Sequence, residues 1–310
     1  MKQLSYLIKR NTTLFFRDKG LFFTSLITPM ILLVLYATFL GNIYRDTIVQ
    51  IIDAMNAMVP VPAEIDSRLI EGFVGGQLLS SILAVSCVTV SVSCNMLMVQ
   101  DKANGAHKDI MISPISPSTL ALSYYISTLF STFIICLAAL AVGLIYLAFI
   151  GFYLTVADVF LILLDVTLLV MFGTAFSSVI NFFLSTQGQI SAVGSIISSC
   201  YGFICGAYMP ISQFGEGLAN VVGLLPGTYG TSLLRKHTLG SVIEKMGESG
   251  LSEQFLDEIR DTVDSNIYTF GGTSVPTPVM YAVLVGTIVL LIGVYVLLNI
   301  LKSRKAARTA

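Results

Sequence analysis

The sequence predicts an all-α integral membrane protein, and three observations lead to this fold class. First, 55% of the 310 residues are hydrophobic and only 11% are charged, whereas a soluble domain usually carries about 25% charge. Second, the mean hydropathy is +0.84, so lipid is the expected solvent for much of the surface. Third, several apolar stretches reach the length of about 20 residues that a helix needs to cross a bilayer core of about 30 Å.

Six stretches are predicted to be transmembrane helices. They are Leu21–Leu40, Phe73–Val99, Thr119–Ile150, Val159–Leu184, Ile190–Met209 and Val279–Leu301. The third is overlong, so its first residues are expected outside the lipid. The fourth and fifth are separated only by Ser185–Gln189, which indicates a tight helical hairpin. The first is as long as a span and lacks a following cleavage site, so it is interpreted as a retained helix rather than a signal peptide.

Charge alternates between the connecting segments. Lysine and arginine are concentrated in residues 1–19, in residues 100–118 and after the last span, whereas residues 41–72 and 210–275 are richer in acids. Because basic segments stay in the cytoplasm, both termini are predicted to be cytoplasmic. The chain is expected to form a single transmembrane domain, 1–310, in a bacterial or archaeal plasma membrane, with 41–72 and 210–275 as extracellular segments.

Two segments are predicted to lie at the membrane surface or to enter it only partly. Residues 1–19 place apolar side chains on one helical stripe and basic ones opposite, as in an amphipathic interfacial helix. In residues 210–275, the short apolar stretches Ile211–Leu225 and Thr228–Leu234 are interrupted by glycine and proline. This pattern predicts a broken re-entrant helix pair before the last span, followed by an acidic surface helix near Phe255.

No catalytic, cofactor or metal site is predicted in this chain. The sequence lacks a Gly-x-x-x-x-Gly-Lys-Ser/Thr phosphate loop, and His107 and His237 are predicted on opposite sides of the membrane. All five cysteines lie in apolar runs and are interpreted as small packing residues. The chain is therefore not expected to be an enzyme, and its net charge of −1 does not suggest a nucleic-acid partner.

Polar residues inside the predicted spans leave two interpretations open. Asp165 is the one ionisable residue placed with certainty inside a span, where a carboxylate is costly to bury. It either holds helices together or binds a substrate or proton. Ser86, Ser93 and Asn95 in the second span either serve close helix packing or line a transport pathway.

Two segments resemble the type-2 ABC exporter permease family, which supplies the membrane half of drug, antibiotic and polysaccharide exporters. Asp101–Pro117, with Ser113-Pro114-Ile115-Ser116, resembles the cytoplasmic coupling segment of that family. Tyr208–Phe214, followed by Leu224–Tyr229, resembles its segment after the fifth span. The six-span plan and the amphipathic first helix also match, so the resemblance covers nearly the whole chain.

The resemblance implies particular roles for two sets of residues. The expected ATPase-coupling residues are Asn104, Gly105, His107, Lys108, Ser113 and Pro114. The expected re-entrant residues are Pro210, Phe214, Pro226 and Tyr229. Members of the family often carry Glu-Gly-Thr where this chain has Asn104-Gly105-Ala106, which puts a salt bridge from that glutamate in doubt here.

The resemblance also implies partners and a direction of transport. Two permease copies, or this chain and a related permease, would pair above two ATPase subunits that bind ATP and Mg²⁺. The predicted cargo is a hydrophobic or amphipathic small molecule such as a drug, antibiotic or lipid-like compound. Three alternatives remain: polysaccharide or cell-wall polymer export, a proton- or ion-coupled carrier that uses Asp165, and a membrane sensor or immunity protein that moves no substrate.

Overall fold

A computed structural model of the chain describes residues 2–57, 65–268 and 273–309. These residues form twelve α-helices, and the isolated bridge between Tyr268 and Ser274 is their only strand-like pairing. The helices are α1 (Lys2–Arg17), α2 (Lys19–Leu35), α3 (Gly41–Asn56), α4 (Ser67–Ala103), α5 (Ala106–Ile112), α6 (Pro117–Ile150), α7 (Val156–Phe183), α8 (Gln187–Ile204), α9 (Glu216–Val222), α10 (Pro226–Glu248), α11 (Glu253–Thr262) and α12 (Thr277–Thr309). The predicted all-α class is confirmed.

Five helical stretches within the described ranges are long and apolar enough to cross a membrane. They are Lys19–Ala54, Ser67–Ala103, Pro117–Ile150, Val156–Phe183 and Thr277–Lys302. Each contains most or all of one predicted span. The chain is therefore a multi-pass integral membrane protein.

The remaining predicted span, the fifth (Ile190–Met209), corresponds to the shorter helix α8. A capping box between Thr186 and Gln189 starts this helix, and it ends after 18 residues at Ile204. The chain then turns through Gly206, whose φ of +74° favours glycine. At 1.5 Å per residue α8 is about 27 Å long, so a sixth crossing stays a prediction. Only three residues separate α7 from α8, so the short connection is confirmed, but α8 packs against α4 rather than back along α7.

The expected extracellular loop 41–72 is largely helical, which corrects the prediction for this segment. A π-helical turn, Tyr36–Leu40, joins α2 to α3 without a break, and α4 already begins at Ser67. The reason is that apolar residues continue at helical spacing past Gly41. Tyr44, Ile48 and Ile52, each four residues apart, are all buried, so α3 packs its own apolar face against α4 and α11.

Helix α4 is the centre of the bundle, with α2, α6, α7, α8 and α10 packed around it. Its small side chains allow neighbouring backbones to come close. At Gly173 of α7, an added Cβ would lie 2.6 Å from the backbone oxygen of Cys87. The amphipathic helix α1 packs along α6 and buries Leu7 and Phe15.

The segment before the last span contains a broken helix pair, but its second helix is much longer than predicted. Helix α9 has seven residues, and the break at Gly223–Leu225 leads into α10, which has 23. The apolar stretch Thr228–Leu234 is only the first part of α10. Helix α10 continues because Arg235 and His237, which looked like the polar end of the stretch, have partners inside the bundle.

Candidate functional site

The expected coupling segment forms a compact connector between α4 and α6. Helix α4 ends at Ala103, and Gly105 adopts a left-handed φ of +85° that starts a new helix direction. Helix α5 follows, and its end is closed by the Ser113 hydroxyl, which donates to the carbonyl of Ile110 at 2.5 Å. The Ser116 side chain then caps α6 by accepting from the Thr119 amide. The turns that connect α5 to the two long helices are therefore short and capped.

The coupling residues named from the sequence divide into an outward and an inward set. Lys108 is exposed, and so are Asn104 and Pro114 in the flanking turns. His107 instead turns inward and is half-buried, and its Nδ1 atom is enclosed without a hydrogen-bond partner. Burial first, and then the nearby charges of Lys102 and Lys302, lower the pKa of His107. His107 therefore faces the bundle rather than the surface that a partner would contact.

An ion pair that sequence reasoning did not identify ties α1 to the start of this connector. The guanidinium of Arg10 donates to both carboxylate oxygens of Asp101, at 2.6 and 3.0 Å. The hydroxyl of Tyr124 donates to the same carboxylate at 2.6 Å. Asp101 is almost fully buried, so this contact joins α1, α4 and α6. The pattern that could have pointed to it was an acid at the end of a long apolar run, opposite a basic amphipathic helix.

The small polar residues of α4 lie inside the protein. Asn95 donates across the helix interface to the hydroxyls of Ser177 and Ser178 on α7, at 3.1 and 3.0 Å. Ser93 donates to a backbone carbonyl of its own helix, and the buried Ser86 hydroxyl has no partner. In this arrangement Asn95 serves helix pairing, and none of the three lies on the outer surface of the bundle.

Asp165 lies at the meeting point of three helices. Its carboxylate is fully buried, with one oxygen 2.6 Å from Nδ1 of His237 on α10. Its other oxygen accepts from the hydroxyl of Tyr281 on α12, also at 2.6 Å. Both oxygens are therefore used in contacts between α7, α10 and α12. His237 and Tyr281 were not paired with Asp165 in the sequence, because 72 and 116 residues separate them from it.

A second buried charge pair, centred on Arg235, was also missed. Arg235 is 1% exposed, and its guanidinium lies 3.3 Å from the carboxylate of Asp264 and 2.5 Å from the carbonyl of Gly206. Asp264 also accepts from the amide of Ile211 at 2.6 Å. The pair therefore joins α10 to the turn after α8 and to the segment after α11. The only sequence clue was an arginine directly after an apolar run.

The four re-entrant residues predicted from the sequence all lie around the start of α10 or in the turn before α9. Pro210 is buried at the beginning of a short 3-10 turn, and Phe214 at its end is partly buried. Pro226 opens α10, where a missing amide hydrogen carries no cost. Tyr229, one turn later, is buried. These residues therefore shape the broken helix pair.

The described residues contain no group of three or more side chains suited to hold a metal ion. Inside the bundle, Arg235 pairs with Asp264 and His237 with Asp165, and both contacts join separate segments. At the α5 end, the fold instead presents a short exposed connector beside a basic amphipathic helix.

Comparison with protein families gives one match. A family model described as "ABC-2 type transporter" matches residues 2–239. This range includes α1, the spans up to α7, the connector α5, helix α8 and the first part of α10. No curated protein matches the chain.

Proposed function

The chain belongs to the ABC-2 type transporter family, and from that membership we propose that it is the permease subunit of an exporter driven by a separate ABC ATPase. The ATPase would bind ATP and Mg²⁺, and this chain would form the path across the membrane. Helix α5 is the observation that carries the proposal. Because α5 joins two spanning helices through short turns, a push on it would move both helices together.

The outer face of α5 has the chemistry of a protein-binding surface. Ile112 is 85% exposed, although it lies outside the spanning stretches. Beside it, Lys108 and Asp109 are exposed. Apolar side chains that face water next to charged ones are typical of contacts with another subunit. An ATPase groove would bury Ile112 and leave the charges at its rim.

This contact can be tested by co-purifying the chain with its ATPase. We expect Ile112→Ala to weaken the complex about tenfold, since this side chain buries apolar surface on binding. Leu218→Ala on α9 is the matched control, because Leu218 is also exposed and apolar but lies far from α5 in the chain. Transport by the purified chain without any ATPase would overturn the proposal.

Helix α8 supports the proposal that two copies pair. Its outward face carries Ser191, Ser195 and Ser199 at four-residue spacing, together with Cys200. Hydroxyls facing lipid gain nothing there, whereas hydroxyls and small side chains favour close contact between helices. We therefore place a second copy of this chain against α8, with the substrate path near that interface. A related permease could occupy the same position.

Cys200 offers a direct test of this pairing, because it is exposed while the other four cysteines are buried. Mild oxidation of membranes should give a covalent dimer of twice the chain mass, and Cys200→Ser should abolish it. A cysteine introduced at the exposed Val289 of α12 in the Cys200→Ser background should not cross-link. If Val289→Cys cross-links as well as Cys200 does, the α8 interface is wrong.

The proposed cargo is a hydrophobic or amphipathic small molecule, moved out of the cell across the plasma membrane. Arg235, the fully buried cation, is neutralised by Asp264, so it offers no free charge for a polyanionic polymer. Drug and antibiotic sensitivity of a deletion strain would test this choice. If only the display of a cell-wall polysaccharide changes, the polymer alternative is correct.

Asp165 favours a proton- or ion-coupled carrier as the second candidate, because a buried carboxylate beside a histidine can exchange protons. Both oxygens of Asp165 are, however, engaged by His237 and Tyr281, which supports a tethering role. Transport that persists without ATP, collapses with the proton gradient and is lost in Asp165→Asn would favour the carrier.

A further inference from the structure

A cavity of about 160 Å³ lies behind α5, at the end of the bundle where α4 and α12 terminate and α6 begins. A water molecule occupies about 30 Å³ of liquid, so the cavity can hold a group the size of a phosphate. Its polar lining is Lys102, His107, Tyr124, Tyr295, Asn299 and Lys302, and the rest of its wall is mainly apolar.

The cations around this cavity outnumber the acids available to them. The ammonium groups of Lys102 and Lys302 lie 5.7 and 5.3 Å from the centre of the Phe182 ring, and the charges of both act on His107. The nearest acid, Asp101, is already held by Arg10 and Tyr124. In the described part of the chain, no carboxylate lies within ion-pair distance of either lysine.

The groups differ in what they can still offer to a ligand. Lys102 donates to the carbonyls of Asn181, Phe182 and Leu184 at 2.8, 2.9 and 3.1 Å, so all three of its N–H groups are used at the end of α7. It contributes positive charge but no further donor. Lys302 and the imidazole of His107 line the cavity and are the groups left to bind a ligand. The lowered pKa of His107, due to burial and then to the two lysines, is consistent with this positive field.

The apolar wall indicates what kind of anion would fit. Met98, Met111, Leu120 and Ala121 line the cavity beside the cations, and α1 with its exposed lysines packs nearby along α6. A free phosphate gains nothing from such a wall, whereas an amphiphile places its chain there and its head group on the cations. Basic residues next to a spanning helix attract anionic lipid.

We propose that this cavity is a binding site for the phosphate group of an anionic phospholipid from the adjoining leaflet, held by Lys302 and His107 in the field of Lys102. The lipid would bridge the end of α12 to α5. The proposal depends on the fold and on insertion of the chain into a membrane. It does not depend on which substrate the protein transports.

The test uses the purified full chain in neutral detergent, titrated with phosphatidylglycerol, phosphatidylcholine or inorganic phosphate and followed by native mass spectrometry. Phosphatidylglycerol should bind at least about tenfold more tightly than phosphatidylcholine. Lys302→Gln and His107→Gln should each weaken its binding about tenfold, as expected for the loss of one charged hydrogen bond. Lys102 is not substituted, because its ammonium group also donates to three carbonyls at the end of α7.

Lys108→Gln is the matched control, because it removes the same charge from the exposed side of α5. It should change the affinity for phosphatidylglycerol less than about twofold, or about 0.4 kcal/mol. If Lys108→Gln weakens binding as much as Lys302→Gln, the attraction is a diffuse surface effect and the site is refuted. If inorganic phosphate binds as tightly as the lipid and with the same dependence on Lys302, the lipid assignment is wrong.

Discussion

Replacing Arg235 by methionine should destabilise the protein by about 3–5 kcal/mol, the usual cost of removing one partner of a buried ion pair. Arg235 is 1% exposed, and Asp264 beside it is 4% exposed. Without the guanidinium, the Asp264 carboxylate loses its countercharge and the carbonyl of Gly206 loses its donor. The Gln77 amide, turned so that its oxygen accepts, would also lose contacts of 3.3 Å to Nε and Nη2 of Arg235.

The thermal unfolding temperature in detergent measures this effect. Proteins of 150–250 residues lose roughly 2–4 °C per kcal/mol, so a decrease of about 6–20 °C is expected for Arg235→Met. Lys245→Met is the control, because Lys245 pairs with Glu248 while both are largely exposed. Exposed ion pairs contribute little to stability, so this control should leave the unfolding temperature nearly unchanged.

A double variant separates the lost ion pair from lost packing. Burial raises the pKa of Asp264 despite Arg235 and two backbone amides, which indicates that an unpaired charge here would be costly. Asp264→Asn removes that charge, keeps an acceptor for the Ile211 amide and tolerates the left-handed φ of 51°. Arg235→Met with Asp264→Asn should therefore cost clearly less than the two single changes added together. Strict additivity, or an Arg235→Met protein within about 1 kcal/mol of the original, would refute the reasoning.

Three further predictions follow from other contacts. Asp101→Asn should weaken the tie to Arg10 by about 1–3 kcal/mol and speed amide exchange in α1, whereas unchanged exchange would contradict the role of this pair. Because the pKa of His107 is lowered in the fold, the unfolded chain takes up this proton first, so stability should fall as pH decreases below about 6.5. His107→Gln should remove that part of the pH dependence of the unfolding temperature. Gly173→Ala should cost about 1–3 kcal/mol, since its Cβ would lie 2.6 Å from a backbone oxygen of α4; Gly188→Ala, where nothing lies within 4 Å, should unfold near the original temperature.

The exposed connector α5 shows how far local sequence information reaches. A coupling segment was expected between the second and third spans, and α5 lies within it. Sequence periodicity also predicted α1, and the five residues between the fourth and fifth predicted spans indicated the short connection between α7 and α8. These features depend on residues close together in the chain, where a cap, a glycine or an apolar stripe acts locally. The side chains within α5 were less predictable, because His107 turns inward while Lys108 faces outward.

Helix α10 shows where local information is insufficient. The apolar stretch named from the sequence ended at Leu234, directly before Arg235, and a lone charge is costly among apolar groups. The helix continues because Asp264 and Asp165 supply partners that lie 29 and 72 residues away. Nothing in the neighbourhood of α10 in the sequence identifies those partners.

The sequence by itself determined that this is an all-α membrane protein, where most of its spanning helices lie and which family it resembles. The fold class and the spans follow from the amount and period of apolar residues, which act over one or two helical turns, whereas the resemblance was carried by the segments Asp101–Pro117 and Tyr208–Phe214 with Leu224–Tyr229. Only the tertiary structure decided that Asp165 joins three helices, that Arg235 is paired and that cations converge behind α5. Each of these depends on helices distant in the chain packing side by side, and the stability of a buried charge is set by the groups that such packing brings to it.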